Sequence, residues 1–288
     1  MPTTYAHYRF GDHAYKLTDE KTQEIINKYR DLFNIGVHGP DIFFYYNCVK
    51  RNKVNDFGYD LHMHSMKEVL ERFKPHYLKA ENKEATLSYI LGFLAHFTFD
   101  SYAHSYIEIK EEKDKVSHGR LEAQLDRFYL IKDGFNPNKK KVTDYLNPTA
   151  FAASVIANLF DEWDEKTIYK TIRDQVFFLK VLKDDTDLKR DILIKLMKLV
   201  KANGFIEMVM GKEDDPRCAD SNLRIDKYFE RAVVHYPSLA RNVIEFLEED
   251  KPLDPYFNYH FSVKDDYRDI PVLPLDEERN YVVEDFQK

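Results

Sequence analysis

Cysteine is nearly absent from this chain of 288 residues. Cys48 and Cys218 stand alone, too few for a disulfide framework. Glycine (9) and proline (11) are also scarce, and convincing alternating strands are hard to find, which argues against a β-rich fold. No stretch approaches the roughly 18 apolar residues of a membrane span. The first ten residues, Met-Pro-Thr-Thr-Tyr-Ala-His-Tyr-Arg-Phe, lack the apolar run of a signal peptide. A cytoplasmic protein with free thiols is the expectation. Net charge is -7 and no basic block is long enough to track a nucleic-acid backbone, so nucleic acid is not an expected partner. There is no glycine-rich phosphate loop, no nucleophile elbow and no plausible Cys–His pair.

What the chain does hold is Leu, Lys, Glu, Phe and Ile at helical period, with 43% hydrophobic and 15% aromatic residues, enough for a sizeable core. The expected fold is all-α, a multi-helix bundle. Helices are expected over 21–33, 60–73, 86–106, 117–131, 149–160, 167–182, 187–202, 221–233 and 238–247. A further start is expected at Gly39-Pro40-Asp41, where proline fits the first turn. Residues 1–250 are expected to form one metal-binding domain. Its ligands would lie within 1–122 and its further packing helices within 149–250. Residues 251–288, broken by Pro252, Pro255, Pro271 and Pro274, read as an irregular tail that wraps the domain or moves freely.

The histidines are unevenly placed, and all but His235 and His260 fall at or before His118. His96, Asp100 and His104 stand at i, i+4 and i+8, followed by His118 and Glu122 at i and i+4. Each four-residue step turns about 40° past a full helical turn, so the first three share a stripe roughly 80° wide. A lone helical histidine is ordinarily a core or surface residue. The joint pattern is harder to dismiss, because Asp100 sits in an otherwise apolar stretch, and a buried carboxylate is costly unless paired or coordinated. Imidazole and carboxylate are what zinc takes where thiolates are lacking.

Several segments, in order, resemble the zinc-dependent phospholipase C family, in particular its bacterial intracellular branch. They are Pro2-Thr-Thr-Tyr-Ala-His7-Tyr-Arg-Phe-Gly, His38-Gly-Pro-Asp41-Ile-Phe-Phe-Tyr-Tyr and Gly58-Tyr-Asp-Leu-His62. Then come Gly92-Phe-Leu-Ala-His96-Phe-Thr-Phe-Asp100-Ser-Tyr-Ala-His104 and Ser117-His118-Gly-Arg-Leu-Glu122. The resemblance covers about the first 125 residues. It implies a zinc cluster of roughly two to three ions. One zinc would take Asp41, His62, His96 and Asp100; a second would take His104, His118 and Glu122; a third would take His7 and the shared Asp100. Secreted members complete the third site with the α-amine freed by signal-peptide removal. Here Pro2, once the initiator Met is removed, is the candidate to supply it. The Asp100–His104 spacing is shorter than in secreted members and agrees with the intracellular branch.

Other readings accompany these. His62 is favoured over His64, which faces another way on a helix. His38 could support a ligand or be an ordinary loop residue, His13 and His76 read as surface residues, and Asp126 as solvated or ion-paired. Phe43, Phe44, Tyr45 and Tyr46 read as core that could partly wall a pocket. Residues 188–201 form an amphipathic segment with a basic face, expected to pack on the core, with an interfacial membrane helix as the other reading.

The implied activity is zinc-dependent hydrolysis of a phosphoester by a metal-activated water, with Asp41 orienting or deprotonating it. The resemblance suggests a phospholipid cleaved to diacylglycerol and a phosphorylated head group, or a small phosphoester, with possible peripheral membrane contact. The alternatives are a non-catalytic zinc-binding helical protein, and a phosphodiesterase or nuclease on the same metal site.

Overall fold

The computed structural model describes residues 4–183, 186–199, 206–264 and 266–283. Among them the regular structure is helical, and the β pairing is an isolated antiparallel bridge between Ser65 and His260. The fold is all-α, as expected.

The central element is α6, Lys83–Asp114, whose residues from Ala85 to Ile107 are buried on nearly every side except at His104. A helix apolar all round belongs inside a bundle, and here α1 (Thr4–Ala14), α3 (Arg30–Gly36), α5 (Met66–Lys79) and α11 (Ala219–Glu249) pack around it. Asn82 caps its start by accepting from the Ala85 N–H, and Lys115, at φ 56°, ends it in the left-handed conformation. Three residues later Ser117 caps α7, His118–Lys132, which returns alongside α6.

The α3–α6 crossing is a backbone contact. A Cβ on Gly92 would lie 2.3 Å from the Phe33 carbonyl oxygen, and one on Gly36 would lie 2.4 Å from that of Tyr89. Backbone cannot swing aside as a side chain can, so any larger residue must push the helices apart. Gly92→Ala is expected to cost about 2 kcal/mol or more, despite the roughly 1 kcal/mol that alanine gains over glycine within a helix. A urea midpoint left unchanged or raised would show that the crossing opens at no cost.

Several boundaries differ from the sequence expectation. The helix expected over 21–33 is two, α2 (Glu20–Lys28) and α3, broken at Tyr29. The one expected over 60–73 is also two. Here α4, Lys53–Met63, opens on an Asn52/Asn55 capping box and ends at His64, while Ser65 and Glu68 form the capping box that starts α5. Gly39–Tyr45 is a 3₁₀ helix with Pro40 in its first turn. After α7 come α8 (Ala150–Ala157), α9 (Glu165–Leu182) and α10 (Asp187–Leu199). The expected pair over 221–247 is the single long α11, which continues through Pro237.

The unexpected helix is α1. The Asp126 carboxylate on α7 accepts the N–H groups of Tyr5 (3.1 Å) and Ala6 (2.8 Å). These are orphan donors of a helix N-terminus, and a buried anion satisfies them. Asp126 is therefore neither solvated nor ion-paired, and burial lifts its carboxyl to about 7.

Beyond α11 the chain crosses the bundle as a strap. Phe257, Phe261 and Tyr267 are buried in the main core, and the short helix α12, Leu275–Glu278, packs on α11.

Candidate metal centre

Five elements deliver the histidines and carboxylates singled out in the sequence to one place. His7 comes from α1, Asp41 from the Gly39–Tyr45 3₁₀ helix and His62 from the last turn of α4. His96, Asp100 and His104 descend α6, and His118 and Glu122 open α7. Asp100 is the hub. Its Oδ1 lies 3.2 Å from His7 Nε2 and 3.5 Å from His104 Nε2, and its Oδ2 lies 2.9 Å from His96 Nε2. His62 Nε2 stands 3.2 Å from Asp41 Oδ1, and His118 Nε2 is 3.1 Å from Glu122 Oε1. The rings of His7 and His96 stack at 4.3 Å, and those of His104 and His118 stand 5.3 Å apart.

The outer nitrogens of three histidines are occupied in a consistent way, while that of His7 is buried without a partner among the described residues. Nδ1–H of His62 donates to the Gly58 carbonyl at 2.7 Å, that of His96 to Val37 at 3.3 Å, and that of His104 to Phe261 at 2.7 Å. A carbonyl on Nδ1 fixes the tautomer and turns the bare Nε2 inward, which is how a metal-ligating histidine is normally held.

The inner atoms are the informative ones. His96 Nε2 and Asp41 Oδ1 are buried and make no hydrogen bond, although each lies within 3.2 Å of an opposite partner. Buried polar atoms rarely go unsatisfied. Donor atoms that crowd together without aiming hydrogen bonds at one another are aimed at a common point, and a cation fits there. Donors of His7, His96 and Asp100 lie within 4.8 Å of one another; so do those of Asp41, His62 and His96, and those of His104, His118 and Glu122. The clusters suit metal binding.

Protonation agrees. Burial disfavours ionising Asp100, but His104, His96 and His7 outweigh it and hold the carboxyl far below its usual range. Burial likewise opposes Glu122, while His118 and His104 bring it down to about 2. Burial lowers His104 to about 4 and also lowers His7, whereas Asp100 raises His96 and Glu122 raises His118 against their burial. Ionised carboxylates and neutral imidazoles are the forms that bind a metal.

The surroundings are built to this density. Gly39, at φ +46°, backs directly onto His96, and a Cβ there would lie 2.3 Å from the ring's Cδ2. His38 is buried rather than an ordinary loop residue, and burial beside His7 and His96 lowers it to about 3. His64 turns outward to Asp60 (3.3 Å) and Glu68 (3.5 Å), which leaves the inward position to His62. His13 is exposed, and half-buried His76 pairs with Asp161 at 3.6 Å. Phe43 and Tyr45 are core, while Phe44 stacks 5.2 Å from the ring of His62 and walls that side of the centre. Pro2 lies outside the described residues.

Sequence reasoning missed two contributors. One is the strap: the Phe261 ring lies 5.7 Å from that of His62 and 6.0 Å from that of His96, and its carbonyl holds His104. The Tyr259 carbonyl accepts from the Met66 N–H, and the Lys264 N–H donates to Ser105 Oγ, so the strap ties α5 to α6 across the centre. The other is a half-exposed group of Glu108, Glu111 and His118. Glu108 continues the four-residue spacing from His96 through His104, a signal that was present.

Residues 6–170 match the model of the family described as zinc dependent phospholipase C, a span that includes every ligand candidate except Pro2. No curated protein and no solved structure matches the chain.

Proposed function

The chain belongs to the zinc-dependent phospholipase C family, and from that premise we propose that it hydrolyses a phospholipid to diacylglycerol and a phosphorylated head group. Asp41, His62, His96 and Asp100 would hold one zinc. His104, His118 and Glu122 would hold a second. His7 and Asp100, with the amine of Pro2, would hold a third. The observation that carries this reading is the pair of buried, unbonded inner atoms, His96 Nε2 and Asp41 Oδ1. Zinc held there supplies Lewis acidity toward a phosphoryl oxygen and makes water more acidic.

The chain's own residues do the rest. Asp100 faces three imidazoles from two elements, α1 and α6, at once and fixes their spacing. Carbonyls of Gly58, Val37 and Phe261 lock His62, His96 and His104 in the inward-facing tautomer. Phe44 and Phe261 exclude water from the flank of His62. Asp41 is held ionised against its burial, with His62 and His96 contributing, so its carboxylate can accept a hydrogen bond from a water and orient it.

The test is Asp41→Asn in protein with a native N-terminus, purified without chelator. Metal per chain is measured by elemental mass spectrometry, and turnover on a phospholipid panel. Turnover is expected to fall about 10²-fold or more, and by more than metal content falls. A parallel loss of both makes Asp41 a plain ligand. A parent that binds zinc yet cleaves no phosphoester favours the non-catalytic reading.

A further inference from the structure

The helix α10 is amphipathic twice over. Leu193 and Met197 pack inward with Leu182, Met208 and Val209. On the opposite side Leu188, Ile192, Leu196 and Leu199 follow one another at i, i+4, i+8 and i+11, a single helical stripe. All four are exposed, by 49% to 78%, and Phe177 on neighbouring α9 adds a fifth apolar side chain at 67%. Buried packing therefore explains one face of α10 and leaves the other unexplained. Scattered surface leucines need no comment, but a continuous stripe does.

Charge narrows what would cover it. Arg173 and Lys180 are exposed on α9, and Lys195 and Lys198 on α10, with Asp191 an exposed carboxylate on the same helix. The whole chain carries a net charge of -7, yet four exposed cations flank this stripe. Leucine on one face with lysine and arginine beside it is the pattern of a helix that lies in a membrane interface.

Behind α10, between α9, α7 and the 206–211 segment, lies a cavity of about 70 Å³. Leu179, Leu182, Met208 and Met210 line it, Lys140 and Lys183 reach it, and Asp126 and Thr4 form its inner end. Asp126 is one helical turn from Glu122. The cavity thus reaches to within one turn of a ligand candidate, and Leu182 and Met208 belong both to its lining and to the cluster that holds the packed face of α10.

We propose that the exposed face of α9 and α10 docks the protein on an anionic lipid surface, with Leu188, Ile192, Leu196 and Leu199 entering the interface and the surrounding lysines meeting lipid phosphates. The docking extends the phospholipid reading of the metal centre and rests on it for its purpose. Its test needs no turnover, so the two fail separately. The full chain is mixed with vesicles of phosphatidylcholine alone or with phosphatidylglycerol, and bound protein is measured by sedimentation.

The parent is expected to bind the anionic vesicles, and less at high salt. Ile192→Ser with Leu196→Ser, and separately Lys195→Glu with Lys198→Glu, should each weaken binding at least about 10-fold. Both variants should hydrolyse a soluble short-chain phosphoester at the parent rate. Absence of vesicle binding by the parent overturns the proposal, as does equal binding by the parent and both variants. A parent that is a dimer, ignores vesicles and becomes monomeric on Ile192→Ser also overturns it, in favour of a second copy on this face. Vesicle binding without any phosphoester hydrolysis would retain the docking surface and remove the catalytic reading.

Discussion

Asp100→Asn is expected to lower phosphoester hydrolysis by about 10³-fold or more and to strip most of the zinc from the protein. The size follows from geometry. One carboxylate faces the Nε2 atoms of His7, His96 and His104 at 3.2, 2.9 and 3.5 Å, and it is almost completely buried. Asparagine has nearly the same shape but carries no charge and places an NH₂ group where one oxygen stood. That NH₂ points donor hydrogens at imidazole nitrogens or metal, and the remaining oxygen cannot serve both sides. Two of the three proposed zinc positions use Asp100, so both should weaken together. Elemental mass spectrometry and turnover, measured on one preparation with a circular dichroism check of helicity, decide it. A helical variant that keeps parental zinc and rate would remove Asp100 from the centre.

Glu278→Ala is expected to be the most destabilising single change away from the centre. Arg224 and Glu278 are both fully buried, joined by two hydrogen bonds of 2.8 and 2.7 Å, and Lys227 lies 3.0 Å from the same carboxylate. Tyr281 stacks 3.9 Å from the guanidinium and seals it. Removing one partner of a buried pair leaves the other charge without compensation, a cost of roughly 3–5 kcal/mol. Here the residue left behind is an arginine that cannot shed its proton. Chemical denaturation of the metal-loaded protein should show the loss, and a drop under about 1 kcal/mol would mean that water reaches Arg224. Replacing both residues, Arg224→Met with Glu278→Leu, should recover much of it, since apolar packing of similar volume often equals a buried ion pair.

Much of the centre could be read from the sequence because its chemistry is local. Four-residue spacing on α6 and α7 places five donors on two helix faces, and Ser117 marks the start of the second. His7, Asp41 and His62 were found through resemblance rather than spacing, because they come from three separate elements. The misreadings have physical causes. Helix α1 depends on Asp126, far away in sequence, so nothing near residue 4 announces it. The break at His64 was legible in the Ser65–Glu68 capping box, but helical period across 60–73 masked it. Pro237 suggested an end to α11 that packing along α6 and α1 overrides. The strap has no periodicity at all. Its course is set by aromatic anchors whose partners lie on α6, and single-chain patterning cannot pair them.

The strap also imposes an order in time. All the described ligand candidates have been synthesised once Glu122 is made, yet the carbonyl that turns His104 belongs to Phe261, 157 residues beyond it. At roughly 5–20 residues per second the 139 residues from Glu122 to Phe261 take about 7–28 s of translation. Throughout that interval the nascent chain carries a donor cluster with one imidazole still free to rotate. Loading of the zinc proposed at His104 would therefore be a late, nearly terminal step of biogenesis, set by when the last tenth of the polypeptide clears the ribosome.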